Sequence, residues 1–288
     1  MLDQELHKQL ENLRVVRFAV NLAPFGEWCD PNILATLAAE AEQAGWDGFF
    51  LWDHINWDRW GPQIGDPWIG LAAAALRTEH IKLGTMVTPV FRRRPTQLAR
   101  QTTSLQQLCQ GRLILGVGLG APDPEESSDL GEAASLGLRA EMTDECLALL
   151  QRLWTGRPTI HRGKFYRLKT RGFLPRPPHP IPIWIAATFP FQPGPLARAA
   201  RHQGLVPACF DRALTAAELA PLARPGQDLV AGAWTGDAPL RDRELVQSYH
   251  QAGVTWWLEP LDPWRAPLEE LRRRLRDGPP LKGGEPRA

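Results

Sequence analysis

Continuous apolar runs alternate along this chain with segments whose apolar residues recur every three or four positions. The first run, VVRFAVNLAPF, is rich in β-branched residues and reads as a strand. It is followed by CDPNILATLAAEAEQAGWD, where Asp30 can cap a helix that starts at Pro31. Leu34, Leu37, Ala38, Ala41 and Ala44 form its apolar face, and Gly45 suits a left-handed stop. The same grammar repeats. DGFFLW (47–52) predicts a strand, and DPWIGLAAAALR a helix with a second Asp-Pro start at Asp66 and Pro67. IKLGTMVTP (81–89) is followed by PTQLARQTTSLQQLC, and GRLILGVGLG (111–120) by LRAEMTDECLALLQRLW. After an interruption come PIWIAA (182–187), PLARAARHQ, GLVPACF, TAAELAPLA, DLVAGAW (228–234), RELVQSYHQAG, VTWWLE (254–259) and APLEELRRRL.

Strands that are apolar throughout, rather than alternating, are covered on both faces. A series of strand-helix units filling one domain of about 250 residues indicates an α/β fold, a closed (β/α)8 TIM barrel. An open doubly wound sheet is the alternative, since periodicity does not decide closure. The chain is expected to be a single domain over 1–288 with its core at about 16–275. Two insertion segments separate the fourth and fifth barrel strands, at about 121–137 and 156–180. The first is polar and broken, and reads as a rim. The second holds TIHRGKFYRLK, with Gly163 between two short β-like runs as in a hairpin. FLPRPPHPIPIW carries too many prolines for regular structure, and the tail DGPPLKGGEPRA is expected to fray.

With 33 Lys+Arg against 32 Asp+Glu, the net charge of +1 supplies no field of one sign for nucleic acid or an anionic membrane. No apolar run approaches the ~20 residues of a membrane span. The opening MLDQELHKQLENLR is polar and mixed in charge, so neither export nor anchoring is expected. Cys29, Cys109, Cys146 and Cys209 are widely spaced and fit neither CxxC nor a metal pattern, which suggests reduced thiols and a cytoplasmic protein.

In TIM barrels the chemistry lies at the C-terminal ends of the strands. Those ends supply Asn21, Pro24 and Phe25; Asp53 and His54; Thr85, Met86, Val87 and Thr88; Gly118, Leu119 and Gly120; Ala187, Thr188 and Phe189; and Trp257 and Glu259. Small residues, aromatics and one histidine describe a pocket for a flat ligand. His54 is the acid/base candidate, with a satisfied structural histidine as the alternative. Asp53 is its neighbour, and on a regular strand only one of the pair faces the lumen. Trp57 is placed to wall a substrate, and Trp60 reads as packing beneath a surface loop.

GVGLGA (116–121) satisfies the dinucleotide fingerprint, but Pro122, Asp123 and Pro124 follow it where a helix should begin. Its glycines are expected to let a ligand approach the backbone. Arg92, Arg93 and Arg94 read as a solvated rim, with phosphate binding as the alternative. No nucleophile elbow, HExxH or acidic metal cluster is present, so no metal is expected.

AGWDGFFLWDHI, LGTMVTPVFRRRP, GRLILGVGLG, IPIWIA and AGVTWWLE, in this order, resemble the bacterial luciferase-like monooxygenase family of flavin- and deazaflavin-dependent oxidoreductases. The resemblance spans about residues 16–275. It implies a (β/α)8 barrel with reduced FMN or coenzyme F420 lying across the strand ends, and a small-molecule substrate. It implies His54, of the family's Asp-His motif, near the reactive edge of the ring; Asp53 beside it and Trp57, by its place near the mouth, are the further catalytic candidates. Asn21, Thr85, Met86 and Val87 would contact the cofactor, with a non-prolyl cis peptide at Met86–Val87 backing the ring. Gly118, Leu119 and Gly120 would meet the ring or ribityl chain; Ala186, Ala187, Thr188 and Arg198 would lie toward the phosphate. A homodimer is implied as well.

Two departures stand out. The Thr and Glu that deazaflavin-dependent dehydrogenases carry around Leu119 and Ala121 are absent, which leaves sugar-phosphate dehydrogenase chemistry unsupported. The segment TFPFQPGP places Pro190, Pro193 and Pro195 where backbone donors would bind phosphate. The reading that follows is a flavin-dependent oxidoreductase or monooxygenase. The rival readings are a non-catalytic flavin- or ligand-binding barrel and a cofactor-free lyase.

Overall fold

The expected alternation of strands and helices is present in the computed structural model, which describes residues 16–56, 63–236 and 238–280. Eight parallel strands run in a closed order: β1 (Arg17–Leu22), β10 (Trp256–Leu261), β9 (Asp228–Ala231), β8 (Gly204–Ala208), β7 (Ile183–Thr188), β4 (Leu113–Gly118), β3 (Lys82–Pro89) and β2 (Gly48–Leu51). The sheet is therefore a barrel and not an open doubly wound sheet. β2 and β4 are buried at every position, as continuous apolar runs require. The helices are α1 (Pro31–Ala44), α2 (Pro67–Ala75), α3 (Pro95–Leu108), α4 (Leu136–Trp154), α5 (Pro193–Ala199), α6 (Ala216–Leu219), α7 (Pro239–Gln251) and α8 (Leu268–Asp277).

Local chemistry fixes the helix ends. Asp30 Oδ1 accepts the Asn32 N–H at 2.8 Å, and Asp66 accepts from Trp68 and Ile69, so both Asp-Pro starts are caps. Gly45 has φ +89° and, with Trp46, donates back to the Ala41 carbonyl to end α1. TAAELAPLA gives less helix than its pattern predicts. α6 has a capping box between Thr215 and Glu218, then tightens into a 3-10 turn at Ala220–Leu222, where Pro221 has no N–H. The tail expected to fray lies, beyond residue 280, outside the described residues.

The described chain divides into two compact units, the first built from residues up to Leu22, Ala39–Phe50 and Trp184 onward, the second from Ala23–Ala38 and Leu51–Ile183. In the first, Phe50, Trp184 and Trp256 pack with ring centroids 5.2–6.2 Å apart, and Arg17 lies 4.4 Å over Trp256. Glu40 of α1 meets Arg272 and Arg276 of α8 at 2.7 and 2.8 Å. Trp257 and Glu259, expected at the mouth, are instead interior. β10 runs on to Leu261, and its period of two turns both side chains to the helix layer. The Trp257 ring packs on Tyr249 of α7 at 5.3 Å, while Glu259 accepts from Thr235 N, Thr235 Oγ1 and Trp257 Nε1 beside Arg274. Burial pushes the Glu259 carboxyl up, against the opposing charge of Arg274.

In the second unit, β5 (Thr159–Arg162) and β6 (Arg167–Thr170) form the expected antiparallel hairpin. Gly163 donates to the Tyr166 carbonyl across its turn. Glu145 of α4 secures it, accepting from His161 Nε2 at 2.8 Å, Phe165 N at 3.0 Å and Tyr166 N at 2.9 Å. Arg112, just before β4, donates to the carbonyls of Ala75 and Thr78 and so satisfies the open end of α2.

Candidate functional site

The buried strand β2 ends at Leu51, which frees the following residues from strand alternation. Asp53 and His54 then turn to different partners in the second unit. Asp53 is 3% exposed. Its carboxylate accepts from Arg93 Nη2 at 2.9 and 2.8 Å, Thr88 Oγ1 at 2.8 Å and Trp68 Nε1 at 3.1 Å, with Arg92 Nη2 3.4 Å away. Arg92 also donates to the Asp53 carbonyl at 2.6 Å. Arg92 and Arg93 are thus not the solvated rim that their sequence suggests. A 3-10 turn at Val90–Arg92 folds both side chains inward, where a buried carboxylate compensates their charge.

The end of β3 carries a bulge. Its register against β4 shifts by one residue between Thr85 and Thr88, and the bond from Met86 to Val87 within it is a non-prolyl cis peptide, at the position the resemblance implies. Thr85 Oγ1 donates to the Gly116 carbonyl at 3.2 Å and lies 2.9 Å from Thr88 Oγ1, connecting the bulge to Asp53. A Cβ on Gly116 would collide with the Thr85 carbonyl, so this glycine makes room for protein backbone.

His54 is held by a residue that the sequence reading missed. Glu126, in the 3-10 turn Pro124–Glu126 after β4, is 2% exposed although it lies in the segment read as a polar rim. Its Oε1 lies 3.0 Å from His54 Nδ1 and accepts the N–H groups of Ile55 at 3.1 Å and Asn56 at 3.2 Å. Its Oε2 accepts from Arg92 Nη1 at 2.6 Å. Burial pushes the Glu126 carboxyl up, but the hydrogen bond and charge of His54, then those of Arg92, outweigh it and leave the group below its ordinary value. Phe25 packs edge-on against His54 at 5.8 Å and against Trp52 at 6.3 Å.

A second missed residue is Arg139 of α4. Its guanidinium donates to the carbonyls of Ala133 (2.6 Å), Ala121 (2.7 Å) and Leu119 (3.3 Å) and lies 5.0 Å over Phe91. It fixes the path of the Gly118–Ala121 segment, in which Gly120 has φ +74°.

The second unit therefore brings together Asp53, His54, Thr85, Met86, Val87, Gly118, Leu119 and Gly120. Thr85 and Gly118 are buried, Met86 is 8% exposed, and Val87, Leu119 and Gly120 are half-buried. In the first unit, Asn21 is buried near the end of β1, and its Oδ1 has no partner among the described residues. Ala187 and Arg198 are buried, Ala186 is half-buried and Thr188 is exposed. α5 has Pro193 and Pro195 in its first turn, which withholds donors from that end. Trp57 and Trp60 lie outside the described residues.

Residues 26–227 match the family of luciferase-like monooxygenases. The chain belongs to that family. It is 35% identical over 164 residues to an F420-dependent glucose-6-phosphate dehydrogenase of Nakamurella multipartita, a match covering 56% of this chain and 48% of the relative. The chain thus spans about half the length of the curated relatives it matches. Among solved structures, an F420-dependent secondary alcohol dehydrogenase in complex with an F420-acetone adduct superposes with a TM-score of 0.73 at 18% identity, covering 92% of this chain and 98% of that one. A type II Baeyer-Villiger monooxygenase of Pseudomonas putida in complex with FMN gives 0.62 at 18% identity, covering 93% and 81%. At these identities the two structures establish a shared fold.

Among the described residues, no group of three or more His, Cys, Asp or Glu is arranged to hold a metal ion, and no helix is long and apolar enough to cross a membrane.

Proposed function

We propose that this chain is a flavin-type oxidoreductase or monooxygenase that uses reduced FMN or coenzyme F420 on a small organic substrate. The observation that carries this reading is His54, held just beyond the end of a barrel strand by the buried carboxylate of Glu126, in a chain of the luciferase-like family. Relatives named for F420 and a structural neighbour containing FMN support the same cofactor class.

The residues fit such a group. The buried, unpartnered Oδ1 of Asn21 suits a ligand N–H or O–H. Met86 and Val87 would back the ring, Thr85 would support them, and Gly118, Leu119 and Gly120 would meet its polar edge or ribityl chain. In the first unit, taken by itself, Ala186 and Ala187 are the strand-end candidates for a cofactor contact. The prolines of α5 argue against a phosphate contact at that helix start, leaving Thr188 and Arg198 as the phosphate candidates.

When bound, the cofactor supplies hydride transfer or oxygen activation. His54 would hydrogen-bond the ring or move a proton at the reacting atoms, and Phe25 would keep water from that edge. Asp53, whose carboxylate is taken by two guanidinium groups, acts as a positioning residue. The sugar-phosphate substrate of the relatives does not carry over, because Leu119 and Ala121 stand where the resemblance calls for Thr and Glu.

The four free cysteines support a cytoplasmic setting, and exposed Ile69 and Leu76, one heptad apart on the helix α2 and its end, support a homodimer. A non-catalytic binding barrel is the second reading, favoured by Ala121 and by the prolines after β7.

The test is turnover of each reduced cofactor with a substrate panel. His54→Ala is expected to lower turnover by about 10²- to 10⁴-fold while leaving the melting temperature nearly unchanged. Unchanged turnover would remove His54 from the chemistry. Cofactor binding with no electron transfer to any substrate would favour the binder.

A further inference from the structure

We propose that Glu126 and Arg92 are positioning residues that fix the tautomer of His54, placing its hydrogen on Nδ1 and its lone pair on Nε2. This rests on the reading of His54 as the proton-handling group.

Two backbone N–H groups, of Ile55 and Asn56, donate to Glu126 Oε1, which also lies 3.0 Å from Nδ1 of His54. The other oxygen, Oε2, is 2.6 Å from Arg92 Nη1. A carboxyl group that accepts two backbone N–H groups on one oxygen and a guanidinium on the other is held ionised and has no hydrogen to give. Its hydrogen bond to the neutral imidazole therefore requires Nδ1–H, and the lone pair falls to Nε2.

Arg92 keeps that carboxylate from turning. Its side chain is 2% exposed, and its second terminal nitrogen is anchored on the Asp53 carbonyl at 2.6 Å. One planar fork thus joins the segment after β2 to the turn after β4. A lysine, with a single ammonium, would not span both with the same geometry. Asp53 is fixed in turn by Arg93, Thr88 and Trp68, so the orientation of His54 is set by groups that cannot move singly.

Glu126→Gln separates this role from packing, since the two side chains have the same shape. The amide has one acceptor: its oxygen faces either Arg92, with NH2 toward His54 Nδ1 and the Ile55 and Asn56 N–H groups, or those three, with NH2 toward Arg92. The first orientation moves the hydrogen of His54 to Nε2 and the second leaves it on Nδ1, so Glu126→Gln removes the single preference and mixes the tautomers.

The experiment is ¹⁵N NMR of the full chain labelled at histidine, recorded at about pH 9, above the ordinary imidazole range. His54 is identified by the signals lost in His54→Gln. The wild-type protein is expected to show a protonated Nδ1 and an unprotonated Nε2, and Glu126→Gln a mixture with a larger share protonated at Nε2. With the reduced cofactor, Glu126→Gln should lower kcat by about 10²- to 10⁴-fold, with KM changed by less than about 3-fold. Arg92→Lys should mix the two tautomers and lower kcat to a lesser extent.

An Nε2–H tautomer in the wild-type protein overturns the proposal, whether or not any variant folds. A chain that oxidises no reduced cofactor would sink the functional reading and leave the tautomer result standing. A chain in which His54→Ala abolishes turnover while His54 carries Nε2–H would sink this inference alone.

Discussion

Removing the Asp53 carboxylate should damage the fold more than the removal of any neighbouring side chain. The Asp53 side chain is 1% exposed, Arg92 2% and Arg93 18%, so water can take over little of the lost compensation. In Asp53→Ala, Arg93 loses both carboxylate contacts, Thr88 and Trp68 lose their acceptor, and Arg92 keeps Glu126 and the backbone carbonyl. Breaking one side of a buried ion pair costs about 3–5 kcal/mol. That is a large share of the ~5–15 kcal/mol that holds a typical domain folded. Urea denaturation followed by tryptophan fluorescence and far-UV circular dichroism reads the change. Adding Arg93→Met to Asp53→Ala should recover part of the loss, giving a coupling of about 1–3 kcal/mol in the double-mutant cycle. A loss below about 1 kcal/mol for Asp53→Ala, with additive behaviour of the pair, would refute the reasoning by showing a solvated cluster.

Burial pushes the Asp262 carboxyl up to about 6 from 3.8, against Arg265, and its Oδ1 has no partner among the described residues. A raised acid favours the fold while protonated, so its contribution is present below about pH 4 and is lost as pH rises through about 6; Asp262→Asn should therefore stabilise the protein at pH 7 by up to about 3 kcal/mol and not at pH 4, as read from urea midpoints across that range. Glu40 is held down at about 2 by its hydrogen bond to Arg272, against burial, with help from Arg276. A depressed acid stabilises above its unfolded range near pH 4.5 and loses that contribution as pH falls toward 2; Glu40→Gln should cost roughly 1 kcal/mol at pH 7, less at high salt, in thermal melts compared at two ionic strengths. Gly116→Ala forces a methyl group against the Thr85 carbonyl; it should destabilise by about 1–3 kcal/mol and weaken cofactor binding by displacing the Met86–Val87 bulge, both measured on the same preparation.

The fold was legible because its strands are apolar at consecutive positions and its helices carry their own start signals. Asp30, Asp66 and Gly45 mark boundaries through chemistry confined to a few residues. α6 was overestimated because Pro221 acts against an otherwise helical composition. In the site, His54 could be found from its place after an apolar run. Glu126 could not: it sits beside Glu125 in a proline-broken acidic stretch, and nothing local distinguishes the acid that folds inward. What buries it is Arg92 and His54, 34 and 72 positions away in sequence. Arg92 and Arg93 were misread for the same reason, since a charge run looks solvated until its distant carboxylates are known. Trp257 and Glu259 show the converse error, where a strand continued beyond its expected end and alternation carried both side chains to the helix layer.

The most direct test of the central claim is an equilibrium titration of the protein with FMN and with coenzyme F420, oxidised and reduced, followed by cofactor absorbance and tryptophan fluorescence. The expected result is saturable binding of at least one of them in the micromolar range, weakened by Gly116→Ala. No binding of either cofactor in either redox state up to millimolar concentration would contradict a cofactor site at these strand ends.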